Sequence, residues 1–132
     1  MPKTVTVALM APPFEAASTT TALRIIDAAL RGGNHVNVFA YEGAVSLTMA
    51  AQAPHPNPVR GTSVEEENHP LPRSWIASLF AVAAGRLDWV NCGLCVDERG
   101  AGEWIDGPRR GGPKDFAQWI EQSDHTLVIA VK

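Results

Sequence analysis

Short runs of β-branched and apolar residues alternate along this chain with segments whose apolar residues recur at helical spacing, and few folds accommodate that order. Val5, Val7 and Leu9 lie in an apolar run that reads as a buried first strand, ended by Pro12 and Pro13. A helix opens near Ser18 or Thr19, both good N-cap residues, and carries Ala22, Ile25, Ile26, Ala29 and Leu30 on one face. Gly32 and Gly33 stop it. Val36 to Ala40 reads as a second strand, and a short helix is expected around Ala44 to Ala51. Ser74 is the expected cap of a helix whose apolar face is Ile76, Leu79, Phe80 and Ala83. A third strand, Leu87 to Asn91, leads into Cys92. Glu103 to Asp106 reads as a short extra strand and Gly107 to Gly112 as a turn. Pro113 suits a first helical position, and Phe116, Trp119 and Ile120 form that helix's expected buried stripe. His125 to Val131 reads as the last strand.

This order implies an α/β protein: a single three-layer domain over residues 1–132, with a mostly parallel sheet of four to five strands and helices on both faces. A Pro-rich loop at 52–73 interrupts it, with Pro54, Pro56, Pro58, Pro70 and Pro72 and the acidic run Glu65 to Glu67, which reads as a solvated face. Right-handed crossovers place sites at the carboxyl edge of such a sheet. Three loops converge there: Ala11 to Ser18, Tyr41 to Gly43, and Cys92 to Cys95.

The net charge of −3 argues against nucleic-acid binding, because neutralising phosphates needs a basic face, and Arg109, Arg110 and Lys114 make only a small cluster. No apolar run reaches the roughly twenty residues of a membrane span, and the N-terminal run is too short for a signal peptide. The expectation is a soluble cytoplasmic protein. Reducing conditions there make a C-x-x-C pair more often redox-active, catalytic or metal-binding than structural.

Cys92 and Cys95 are the only two cysteines, so any thiol chemistry belongs to them. Cys92 falls at a strand end and a helix start, where unpaired N–H groups favour the reactive thiolate. Cys95 lies one turn on, flanked by Asp97 and Glu98, whose charges disfavour its thiolate. Cys92 is therefore the expected nucleophile, with Cys95 the resolving or auxiliary thiol and Gly93 between them a supporting position. Arg99 is assigned to capping or packing. The bland alternative is two small buried hydrophobes.

The segment VNCGLCVDERG, together with TALRIIDAALRGG, HVNVFAYEGAV and IDGPRRGGPKDFAQWIEQSDHTLVIA, resembles the DsrE/DsrF/TusD-like sulfur-relay family over nearly the whole chain. Family members carry a cysteine heading a helix, followed seven and eight residues later by Arg-Gly; Cys92, Arg99 and Gly100 match, and Cys95 matches a second cysteine of some relatives. The resemblance implies a parallel α/β layer fold and homo- or hetero-oligomers. It also implies a cysteine that accepts sulfane sulfur as a persulfide from a donor protein and hands it to an acceptor protein. Two departures stand out: Glu98 occupies a position where relay members tend to be basic, and the Pro-rich loop is longer.

Two rival readings remain. One is a thiol–disulfide redox protein or sensor using Cys92 and Cys95. The other is a non-catalytic binding subunit with inert or metal-binding cysteines. No cofactor is expected. A structural zinc site wants four ligands and one C-x-x-C supplies two, while His35, His55, His69 and His125 show no ligand spacing, so no metal is expected either. His69 is the one histidine placed to fold over Cys92, though a solvated loop position is the commoner fate. Ser18 and Thr19 are candidate anion contacts at a helix start, against ordinary capping. Trp75, Trp89, Trp104 and Trp119 read as core or interface residues.

Overall fold

The computed structural model describes residues 2–53, 55, 61, 63–65 and 71–130. Five strands form one sheet: β1 (Thr4–Leu9), β2 (His35–Ala40), β3 (Leu87–Cys92), β4 (Arg109–Gly111) and β5 (His125–Ile129), in the order β4-β3-β2-β1-β5. Every pairing is parallel. The helices are α1 (Ala17–Arg31), α2 (Pro72–Ala83), α3 (Gly93–Arg99) and α4 (Pro113–Gln122), and a 3-10 helix covers Glu42–Thr48. This is the expected three-layer α/β architecture.

Strand parity separates two cores. Val7 and Leu9 of β1, Val36 and Val38 of β2 and Trp89 of β3 face α1 and α2, meeting Leu23, Ile26, Ile76 and Leu79. Phe39 of β2 and Val90 and Cys92 of β3 face the other way, into a smaller core with Val96 of α3 and Trp119 and Phe116 of α4. Phe39 stacks between Tyr41 and Phe116, with ring centroids 5.6 and 5.3 Å away. Period-two alternation thus sends Cys92 into the α3/α4 layer and Asn91 into the opposite one. Asn91 is fully buried and satisfied there: its Nδ2 donates to Thr48 Oγ1 at 2.9 Å, and it accepts from Trp89 Nε1 at 3.2 Å.

Several local expectations are corrected. The extra strand is Arg109–Gly111, inside the stretch read as a turn, whereas Trp104 makes only an isolated antiparallel bridge to Met49. The N-cap of α1 is Ala16, so Ser18 and Thr19 lie within the first turn. The α2 helix begins at Pro72 with Leu71 as N-cap, because proline has its φ preset for the first helical position and loses no hydrogen bond there; Ser74 is already helical. The short helix expected at Ala44 to Ala51 forms earlier and as 3-10. On α4 only Trp119 is buried, and Ile120 is 47% exposed, so the helix turns Trp119 and not Ile120 into the sheet.

Gly107 shows why the segment before β4 needs glycine. Its φ is +119°, and a Cβ there would come within 2.8 Å of the Phe80 ring. Gly107→Ala combines backbone strain with overpacking and is expected to destabilise the fold by about 2–3 kcal/mol, read as a lower urea midpoint.

Candidate functional site

Cys92 ends β3 and is the N-cap residue of α3 (φ −61°, ψ 120°), so its side chain leaves the sheet where the helix begins. It is 7% exposed, packed with Phe39, Val90, Val96 and Trp119. Cys95, one turn along, is half-buried, and both thiols are free. The two sulfurs are close enough for Cys92 to act on the Cys95 thiol.

The loop after β2 closes over Cys95. The Glu42 backbone N–H donates to Cys95 Sγ at 3.1 Å, with Glu42 held in the left-handed region at φ +53°. Pro12, from the loop after β1, packs on Gly43, where a Cβ would meet its ring carbons at 2.9 Å. The three loops at the carboxyl edge therefore meet.

Burial pushes the Cys95 thiol above its ordinary value. The Glu42 N–H opposes this, Cys92 reinforces it by hydrogen bond and by charge, and Arg99 opposes it weakly. The rise thus comes from burial and the neighbouring sulfur; Asp97 and Glu98, expected to be the cause, are each paired with an arginine instead. The sign of the linkage follows. A raised folded-state value contributes stability that is full below the ordinary thiol range and is lost as pH rises through it. Cys95→Ser is expected to flatten the alkaline fall of the melting temperature.

Arg99 donates to the Cys95 carbonyl at 3.3 Å and reaches Glu42 at 3.5 Å. It ties the α3 backbone to the loop over the cysteines, in keeping with a capping role. Arg110, absorbed into a basic cluster on sequence grounds, is the residue that reading missed. Its guanidinium makes two bonds to Asp97, at 3.0 and 2.8 Å, and lies against Gly93. These bonds hold the Asp97 carboxyl below its usual range. The local sequence carries no signal for this position, which exists because β4 pairs with β3 and sets Gly111 beside Cys92.

Gly93, Cys95 and Arg99 come together around Cys92; Ser18 and Thr19 do not. They line a crevice with Leu9, Ala11, Leu47 and Ile129 that is too narrow to hold a water molecule, and Thr19 Oγ1 is turned toward the Pro12 carbonyl at 3.5 Å. His69 lies outside the described residues. A wider groove of about 470 Å³ opens beside α3, lined by Met49, Val96, Asp97 and Glu103 among others. Among the described residues no three His, Cys, Asp or Glu side chains gather in a way that fits a metal ion. Among the same residues no helix is long and apolar enough to cross a membrane.

The fold is similar to that of the YchN protein from E. coli, with a TM-score of 0.72 and 23% identity over 97% of this chain and 99% of that one. No curated protein sequence gives a significant match. The DsrE/DsrF-like family model matches residues 3–129, essentially the whole five-stranded sheet and the cysteine site, and the chain belongs to the DsrE/DsrF-like family.

Proposed function

We propose that this protein is a sulfur carrier of the sulfurtransferase type, holding sulfane sulfur as a persulfide on Cys92. The observation that carries the reading is a shielded cysteine at the β3–α3 junction with a second free thiol one helical turn on. Family membership supports the same chemistry.

With thiosulfate as donor, the Cys92 thiolate attacks the outer sulfur. A Cys92 Sγ–S bond forms, the S–S bond to the sulfonate breaks, and sulfite departs with the electron pair. An acceptor protein's thiolate then attacks the outer sulfur of Cys92–S–S⁻ and regenerates the Cys92 thiolate. Burial serves this role, since a persulfide exposed to small thiols is discharged before it meets its acceptor. The groove beside α3 offers a surface on which an acceptor protein docks.

Cys95 has a resolving role. Without an acceptor, it attacks Sγ of the persulfide, closing a Cys92–Cys95 disulfide and releasing hydrosulfide with the Cys95 proton. Its raised thiol value slows this step at neutral pH. Cys95→Ser is expected to lengthen the persulfide lifetime by about 10-fold, since at least that much exchange rate depends on a thiolate within reach, measured by cyanolysis at intervals after loading.

The proximity of the thiols also favours a second reading, a redox pair that cycles between dithiol and disulfide. Cyanolysis of polysulfide-treated, desalted protein separates the two. The carrier reading expects thiocyanate from Cys95→Ser, which cannot discharge its persulfide internally, and none from Cys92→Ser; a wild-type disulfide with no thiocyanate from Cys95→Ser supports the redox pair.

A further inference from the structure

Arg110 stands where a glycine makes room for it. An ideal Cβ on Gly93 would fall 2.7 Å from Arg110 Nε and 2.8 Å from both Cζ and Nη2, so the guanidinium lies directly over the residue that follows Cys92. Each terminal nitrogen directs one N–H to Asp97, at 3.0 and 2.8 Å. Nε–H, on the side resting over Gly93, has no hydrogen-bond acceptor among the described residues. Arginine keeps its charge at any working pH, and its fork is rigid once two bonds fix it. Asp97 therefore positions the group and leaves its Nε–H, with the second N–H of each terminal nitrogen, for a ligand beside the residue that follows Cys92.

We infer that Arg110 is the specificity-determining residue of the Cys92 site, selecting anionic sulfur donors such as thiosulfate and polysulfide over neutral ones. This deepens the carrier reading and rests on it for the biological donor. In the transfer written above, negative charge moves from the attacking sulfur to the departing sulfite while the Cys92 Sγ–S bond forms. A fixed cation with a free N–H is complementary to that charge throughout. Tyr41 and Cys95 share the core of Cys92, Glu42 and Arg99 bond to Cys95, and Asp115 lies against Gly111, the β4 residue paired with Cys92. Removing Arg110 also uncovers Asp97, which then repels an anionic donor. Loss of attraction and gain of repulsion act in the same direction.

The test compares alkylation of Cys92 by iodoacetate and by iodoacetamide, reagents that differ mainly in charge, in a Cys95→Ser background so that one thiol is read. The ratio of the two rates cancels any change in thiolate population or access. R110Q is expected to lower the iodoacetate-to-iodoacetamide ratio by about 5–10-fold at low salt, the size of one close partly screened charge, with the difference shrinking at high salt. R110K should retain most of the wild-type ratio. Gly93→Ala, which leaves Arg110 in place but forces the guanidinium off its seat, should fall toward R110Q and guards against a folding defect in the arginine variant. An unchanged ratio in both R110Q and Gly93→Ala, with melting curves near wild type, overturns the inference. Thiosulfate loading of the wild type, measured in parallel, tells the two readings apart: loading with an unchanged ratio leaves the carrier and removes Arg110's role, whereas a shifted ratio without loading does the reverse.

Discussion

Trp89→Ala is expected to lower folding stability by about 3–5 kcal/mol, the range for emptying a large aromatic site in a packed core. Trp89 is fully buried on β3 and is the largest side chain in the main core. Truncation opens a cavity between the sheet and the α1–α2 layer, and it also removes the Nε1–H that Asn91 accepts. Asn91 keeps Thr48, so the polar loss is partial and the cavity dominates. For a chain of 132 residues this corresponds to a fall in melting temperature on the order of 10–20 °C. Differential scanning calorimetry reads it directly. A fall of only a few degrees would mean that the main core collapses around the missing ring and that β3 is less rigidly held. The point matters for function because β3 aims Cys92: Trp89 faces one layer, and Cys92, three residues on, faces the other.

The second large effect is chemical. Cys92→Ser is expected to reduce sulfane-sulfur loading to background while leaving the fold in place, because serine is close in size and Cys92 sits at the rim of the smaller core. A serine hydroxyl at neutral pH is neither ionised nor a sulfur nucleophile, so no partial activity is expected from it. Cys92→Ala should behave the same way, which excludes an effect of the new hydroxyl. Cys95→Ser should still load. If Cys95→Ser lost loading and Cys92→Ser kept it, the half-exposed thiol under the Glu42 amide would be the acceptor, and the assignment of roles would reverse.

The elements most legible in the sequence are those with strong periodicity. The β-branched runs of β1 and β2 and the stripe Ala22–Ile26–Leu30 of α1 are found where the pattern puts them. The strand into Cys92 and the helix after it were also legible, because β-prone residues stop abruptly at Cys92 and a cap glycine, Gly100, follows α3. What local pattern cannot supply is tertiary pairing. Arg109–Gly111 contains no β-branched residue and sits between glycines, so it reads as a turn; it becomes a strand because the free edge of β3 needs a partner. Arg110 acquires its place over Gly93 through that same pairing and was invisible for the same reason. The environment of Cys95 is hidden from local sequence in a related way: Asp97 and Glu98 are its neighbours in the chain, but arginines from β4 and from the end of α3 take up their charges. Ser18 and Thr19 have favourable chemistry for an anion, yet the crevice they line is closed.

The most direct test is intact-protein mass spectrometry of reduced protein exposed to polysulfide or thiosulfate, desalted, and compared across wild type, Cys92→Ser and Cys95→Ser. The account predicts a gain of one or more sulfur atoms on wild type and on Cys95→Ser, removed by cyanide, and no gain on Cys92→Ser. Loss of two hydrogens from the wild type with no sulfur gained on any of the three proteins would contradict it and make the pair a redox couple.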